Sequence, residues 1–146
     1  MIAYFDSSAL VKLFLVEEGS GAARDVWDSG IHVATSRISQ AELSCALAAA
    51  VRDRRYARER VDDHVVDGTF LHDRAVIVEA SPDVVGVAST IGVRHRLRGV
   101  DAVHVASALE LTDLGPTLVS WDERQRQAAR AEGLRVYPET TTASPR

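Results

Sequence analysis

Cysteine is almost missing from this 146-residue chain, where Cys45 stands alone. One thiol cannot build an internal disulfide framework, and no Cys/His cluster is present for structural zinc, so a reducing interior is the expected compartment. Long apolar runs are missing too: nothing approaches the length of a membrane span, and the N-terminus has neither the basic start nor the apolar stretch of a signal peptide. A cytoplasmic location is the expectation. There is no Walker loop with Gly-Lys-Ser/Thr for nucleotide phosphates, no internal repeat and no low-complexity linker. Lysine is nearly absent, with Lys12 the only one, so the basic groups are almost all arginine.

What is present suits one globular domain. Nearly half of the residues, 46%, are hydrophobic, enough for a core without covalent staples. A single domain over 1–138 and a short tail over 139–146 are expected. The net charge of −4 argues against coating nucleic acid by bulk electrostatics. It leaves room for a local acidic site flanked by separate basic patches.

The organising stretch is Ile2-Ala3-Tyr4-Phe5-Asp6-Ser7-Ser8, a short apolar run that ends abruptly in an acid and two hydroxyls. Continuous hydrophobicity suits a strand covered on both faces, which delivers Asp6 to a sheet edge. The spacing predicts a helix over Ser8–Val16, a short helix over Ala22–Asp28 and a strand over Ile31–Thr35. Leu43, Ala46, Leu47, Ala50 and Val51 follow the i, i+3, i+4, i+7, i+8 template, and Ser39-Gln40-Ala41-Glu42 reads as a capping box at the helix start. Cys45, among alanines, reads as a small buried hydrophobe. A less regular helix, interrupted by Gly68, is expected up to Arg74.

Val76-Ile77-Val78 reads as a third strand, followed by a helix from Asp83 to a basic end closed by Gly99. Asp101 is expected to begin the next helix. Thr117–Trp121 reads as a fourth strand ending at Asp122, Glu123–Glu132 as a polar helix and Leu134–Tyr137 as an edge strand. Strands alternating with helices imply an α/β fold with a mainly parallel sheet of 4–5 strands and helices on both faces. The strand-to-helix loops of such a sheet share one edge, where ligands bind. Asp6, Glu42 and Asp122 should face that edge together.

Each acid has a purely structural reading. Asp6, Asp101 and Asp122 could cap the helices that follow them, an effect worth about 1 kcal/mol each, and Glu42 could complete the capping box. As a set they are harder to dismiss. Carboxylates gathered at one edge repel one another unless a cation sits among them, and oxygen ligands without a Cys/His set select a hard ion such as Mg²⁺ or Mn²⁺.

The chain resembles the PIN-domain nucleases, and within them the VapC-type toxins of bacterial toxin-antitoxin pairs. The resemblance is carried by Asp6-Ser7-Ser8-Ala9-Leu10 after the first strand, Ser39-Gln40-Ala41-Glu42-Leu43, Asp101-Ala102-Val103-His104-Val105-Ala106, and Val119-Ser120-Trp121-Asp122-Glu123-Arg124. It implies a three-layer α/β/α fold and an acidic pocket of Asp6, Glu42, Asp101 and Asp122. Asp6, Asp101 and Asp122 would hold the metal, and Glu42 would act as a base or as a ligand of a second ion. The implied activity is Mg²⁺-dependent endoribonuclease cleavage of RNA. The implied partners are a VapB-like antitoxin protein and a second toxin chain, as a homodimer or a toxin-antitoxin hetero-oligomer. Trp121 is a departure from the resemblance, in which a smaller or different aromatic residue is common at that position.

Ser7, His104 and Ser120 are candidates for contacts to substrate or to the ligating carboxylates, against equally ordinary turn, capping and buried-histidine roles. Phe14, Leu15 and Trp27 read as core, although the resemblance places an antitoxin groove nearby. Two basic groups, Arg52, Arg54, Arg55, Arg58 and Arg60, and Arg94, Arg96 and Arg98, are either solvated helix faces or contacts to an RNA backbone. Two other functions stand as alternatives: an RNA-processing nuclease without an antitoxin, and a noncatalytic module that binds RNA or protein.

Overall fold

The computed structural model describes residues 1–66 and 68–140. At its centre β1 (Ile2–Phe5), β2 (His32–Ser36), β3 (Ala75–Val78), β4 (Pro116–Val119) and β5 (Arg135–Tyr137) form one sheet in the order β3-β2-β1-β4-β5. All four pairings are parallel. The first strand is therefore the middle one, buried along its whole length as its unbroken apolar run requires.

Alternation along β1 divides the core. Ala3 and Phe5 face one helix layer, made of α1 (Ser7–Val11), α2 (Ser20–Asp28), α3 (Ser39–Arg52), α4 (Asp63–Val66) and α5 (Thr69–Arg74). Ile2 and Tyr4 face the other, made of α6 (Pro82–His95), α7 (Gly99–Leu109) and α8 (Glu123–Ala131). The result is a three-layer α/β/α sandwich. Phe5, Leu10, Leu43 and Leu47 are essentially inaccessible in the first layer, and burying each such side chain contributes roughly 1.5–3 kcal/mol. Leu15 and Trp27 are buried there as well, while Phe14 is partly covered and meets Phe70 edge-on at 5.3 Å.

Several local expectations give way. The helix expected over Ser8–Val16 ends at Val11 and continues as tighter turns, with Leu13 N–H donating to Leu10 O and Phe14 N–H to Val11 O. The helix after β3 closes at Arg96, which takes the left-handed conformation, and Gly99 opens α7 instead. Cys45 is exposed, because the face of α3 that carries Leu43, Leu47 and Ala50 into the core turns it outward. Of the tail expected over 139–146, residues 141–146 lie outside the described residues. No described helix is long and apolar enough to cross a membrane.

Candidate active site

The register of the two central strands builds the site. Phe5 pairs with Val119 at the end of the β1–β4 ladder, and Asp6 N–H donates to Val119 O at 3.2 Å. Asp6 and Ser120 are thus the next residues on adjacent strands, and Ser120 Oγ lies 2.6 Å from Asp6 Oδ2. Ser8 Oγ donates to the same carboxylate at 2.7 and 2.9 Å, and Ala9 N–H donates to Oδ1 at 2.8 Å. Asp6 therefore does cap α1, and it does so while only 3% exposed. Burial raises its pKa above the ordinary carboxylate value, an effect that His104 and the hydrogen bonds from Ser120, Ser8 and Ala9 only partly offset.

Glu42 does not complete a capping box. Helix α3 starts from Ile38 with no side-chain cap, and Ser39 turns inward to Thr35, 2.6 Å between hydroxyl oxygens. The local motif yields to a buried tertiary contact, which leaves Glu42 for another partner. That partner is His104 on α7, whose Nε2 is 2.7 Å from Glu42 Oε1 and 2.9 Å from Ser7 Oγ. A carboxylate only accepts, so Nε2 carries the proton, and in the neutral ring Nδ1 accepts from Tyr4 Oη at 2.9 Å. Burial alone would raise the Glu42 pKa, but the hydrogen bond from His104, the charge its ring carries when protonated, and help from Ser7 and Arg98 outweigh it and hold the carboxyl below its usual range.

Asp122 caps α8 by accepting from Gln125 N–H at 2.9 Å, while its own N–H donates to Ser120 Oγ at 3.1 Å. Asp101 does not cap. Its helix begins two residues earlier, at Gly99, so Asp101 sits in the first turn and takes an ion pair with Arg98, Nε to Oδ2 3.0 Å. That contact raises the Arg98 guanidinium, with Asp122 and Glu42 adding to it, so one arginine feels three of the four acids.

Ser7, Glu42 and Asp122 line one cavity of about 440 Å³ together with Ser8, Lys12 and Trp121. Asp6 lies directly behind it through Ser8. Asp101 is joined to the cluster by Gln125, fully buried, whose Nε2 donates to the Asp101 carbonyl at 3.1 Å and whose Oε1 is 2.9 Å from Ser120 Oγ. All seven residues singled out from the sequence thus belong to one hydrogen-bonded or cavity-lining neighbourhood.

Sequence reasoning missed Tyr4, Ser8, Lys12 and Gln125. Ser8 is in plain view, two residues past Asp6, but hydroxyls in turns are common. Gln125 carries the signal of an amide in the first turn of a capped helix, which points to no distant partner. Trp121 has Lys12 Nζ 5.3 Å from its ring centroid and Gly19 against its edge. A Cβ at Gly19 would stand 2.2 Å from the indole Nε1, and the residue's φ of +85° also calls for glycine.

The PIN domain family model matches residues 3–131. The chain belongs to the PIN domain family. Within the family this PIN domain is of the VapC type. It is 38% identical over 137 residues to Ribonuclease VapC45 and to Ribonuclease VapC49 of Mycobacterium tuberculosis, covering 94% of this chain and 95% of each relative. Its fold is similar to that in the crystal structure of VapBC2 from Rickettsia felis bound to a promoter DNA fragment. The TM-score there is 0.63 at 15% identity, over 93% of this chain and 97% of that one.

The donor chemistry of this PIN domain fits a hard divalent cation, since the site offers carboxylate and hydroxyl oxygens and no thiol. Burial raises the Asp6 pKa, and a nearby positive charge would favour its ionised form. The carboxylates share an edge without forming a ligand set: among the described residues no three Asp, Glu, His or Cys side chains are arranged to hold a metal ion. Each acid instead has a protein partner, serines for Asp6, His104 for Glu42, Arg98 for Asp101 and the Gln125 N–H for Asp122.

Proposed function

We propose that this PIN domain is a Mg²⁺-dependent endoribonuclease, the toxin of a VapBC-type pair, neutralised by a VapB-like antitoxin in the cytoplasm. The observation that supports the reading is that Asp6, Glu42, Asp101 and Asp122, from four separate segments, are linked by hydrogen bonds or a shared cavity into one neighbourhood at the C-terminal edge of one parallel sheet. The names of the relatives, which are ribonucleases, supply the substrate class.

Asp6, Asp101 and Asp122 would hold the ion. When bound, Mg²⁺ polarises a phosphoryl oxygen and lowers the pKa of a water. The other tasks fall to the chain. Glu42, kept ionised by His104, stands in the cavity as the acceptor for the proton of an attacking water. Ser8 and Ser120 fix the rotamer of Asp6, and Gln125 ties the start of α7 to Ser120.

The test compares the wild-type protein and Asp6→Asn on a mixed RNA pool, with Mg²⁺ and with chelator. Cleavage is expected only from the wild type with Mg²⁺, and equal cleavage by both proteins would remove the site. A second reading, a noncatalytic RNA-binding module, draws on the engagement of Asp101 by Arg98. Metal-dependent RNA binding without cleavage would favour it. Growth arrest on expression, relieved by a neighbouring small gene product, would separate a toxin from an RNA-processing enzyme.

A further inference from the structure

A second cavity, of about 340 Å³, lies between the C-terminal end of α6 and the first turns of α8, and is lined by His95, Arg96, Arg124, Gln127 and Ala128. Its charge is one-sided. The nearby acid Glu132 is already engaged, by His95 at 2.6 Å and Arg94 at 2.7 Å. Arg96 and Arg124 are exposed and have no hydrogen-bond or ion-pair partner among the described residues, whereas Arg37, Arg74, Arg94, Arg98 and Arg130 each reach an acid. Arg96 also closes α6 at φ +56°, ψ +41°. Glycine takes that conformation without penalty, while a side chain there is strained.

Both walls of this cavity are anchored to the acid edge. Arg124 is two residues past Asp122 in the same helical turn, and Arg96 is two residues before Arg98, which holds Asp101. A polyanion approaching clustered carboxylates is repelled by them, so binding needs positive charge beside the acids that the acids do not themselves consume. Arg98 is consumed in this way. Arg96 and Arg124 are not, and guanidinium forks suit the oxygen pairs of phosphates and carboxylates, of which an RNA backbone supplies the former.

We propose that this cavity is a phosphate subsite in which Arg96 and Arg124 clasp a backbone phosphodiester of the RNA away from the scissile bond. The proposal rests on the RNA-cleaving reading above. Such a contact sets the path of the strand across the acid edge and carries no base preference of its own.

The experiment uses the full chain and its Arg96→Gly/Arg124→Gln variant, glycine being chosen because the left-handed turn accepts it. Binding of a labelled random single-stranded RNA pool is measured in chelator from about 50 to about 200 mM salt. Cleavage rates on the same pool are measured with Mg²⁺. Expected are a Kd raised about tenfold at the low-salt end and a slope of log K against log salt shallower by about 0.7 for each phosphate that is no longer neutralised. KM should rise in step while kcat changes less than about twofold. A control, Arg74→Gln/Arg135→Gln, removes the same charge beside the N-terminal ends of β3 and β5, at the opposite sheet edge, and should move neither quantity. Wild-type Kd and slope in the Arg96/Arg124 variant, or an equal change in the control, overturn the subsite, and an acidic protein segment would then be the better occupant. If the wild type binds RNA but does not cut it, weaker binding by the variant still supports the subsite while the nuclease reading falls.

Discussion

Asp6 and Asp101 are assigned the same task, yet the protein holds them in opposite ways. Asp6 is buried at the end of the central strand, with both carboxylate oxygens accepting hydrogen bonds from Ser8, Ala9 N–H and Ser120. Asp101 stands in the first turn of α7 and leans on Arg98, whose side chain is 78% exposed. The first arrangement fixes a rotamer through several short hydrogen bonds and accepts the cost of a desolvated charge. The second is a screened surface pair that contributes little to stability and can exchange partners readily. One half of the site is therefore preorganised and the other adjustable, and substitutions should separate the two.

The largest effect is expected at Asp6. Asp6→Asn should lower cleavage by more than about 10²-fold. It should also raise thermal stability at neutral pH. The folded-state pKa of Asp6 lies above its ordinary value of 3.8, so its contribution is present in full below that pH and is lost as pH rises through the folded value. Removing the charge recovers it. Melting curves of both proteins should diverge at pH 7 and converge in acid, and a lower Tm for the variant at pH 7 would break the contrast.

Glu42 has the opposite sign. Its pKa is held below the ordinary 4.5, so its contribution is present above that value and fades as pH falls through the folded one. Glu42→Gln should flatten the acid limb of the stability curve below about pH 4.5 and lower kcat by about 10²-fold. An unchanged acid limb would show that His104 does not hold this carboxylate in solution.

A smaller effect is expected from Tyr4→Phe, which leaves His104 Nδ1 buried without its donor at a cost of about 1–3 kcal/mol. Tm should fall by several degrees, and kcat by about tenfold with KM nearly constant, because Glu42 loses its support while the surface that meets RNA is untouched. Equal loss in kcat and KM would make Tyr4 a packing residue only. Smallest of all, Arg98→Gln should leave Tm within about 1 °C, as expected of an exposed pair. It should also shift the Mg²⁺ dependence of cleavage a few-fold toward lower concentration, since Asp101 is released. A higher Mg²⁺ requirement would mean that Arg98 orients the ligand instead of competing for it.

The contrast between the two acids is only partly visible in the sequence. Asp6 and Asp122 can be located because a strand ending in an acid before a helical stripe is a local pattern. Both also cap their helices, so the structural and chemical roles coexist in one side chain. Asp101 lies two residues deeper in its helix than the pattern suggests, because Gly99, which reads as a stop, is a start. The Ser39–Glu42 capping box fails for a different reason. Both side chains find partners from other elements, and no local motif can weigh a contact to Thr35 or to His104.

Hydrophobic period and punctuation are properties of neighbouring residues, and they suffice to define an alternating α/β chain with a buried first strand and acids at the strand ends. Strand order is not such a property. Parallel ladders are made by backbone groups that every residue but proline carries, so nothing in β1 names β2 and β4 as its neighbours until the helix layers pack on both faces. That order put Ser120 beside Asp6, and α7 then brought His104 between Tyr4 and Glu42, side chains 100 and 62 residues away along the chain. Which acids the chain carries was written locally, and how each is held was decided by folding.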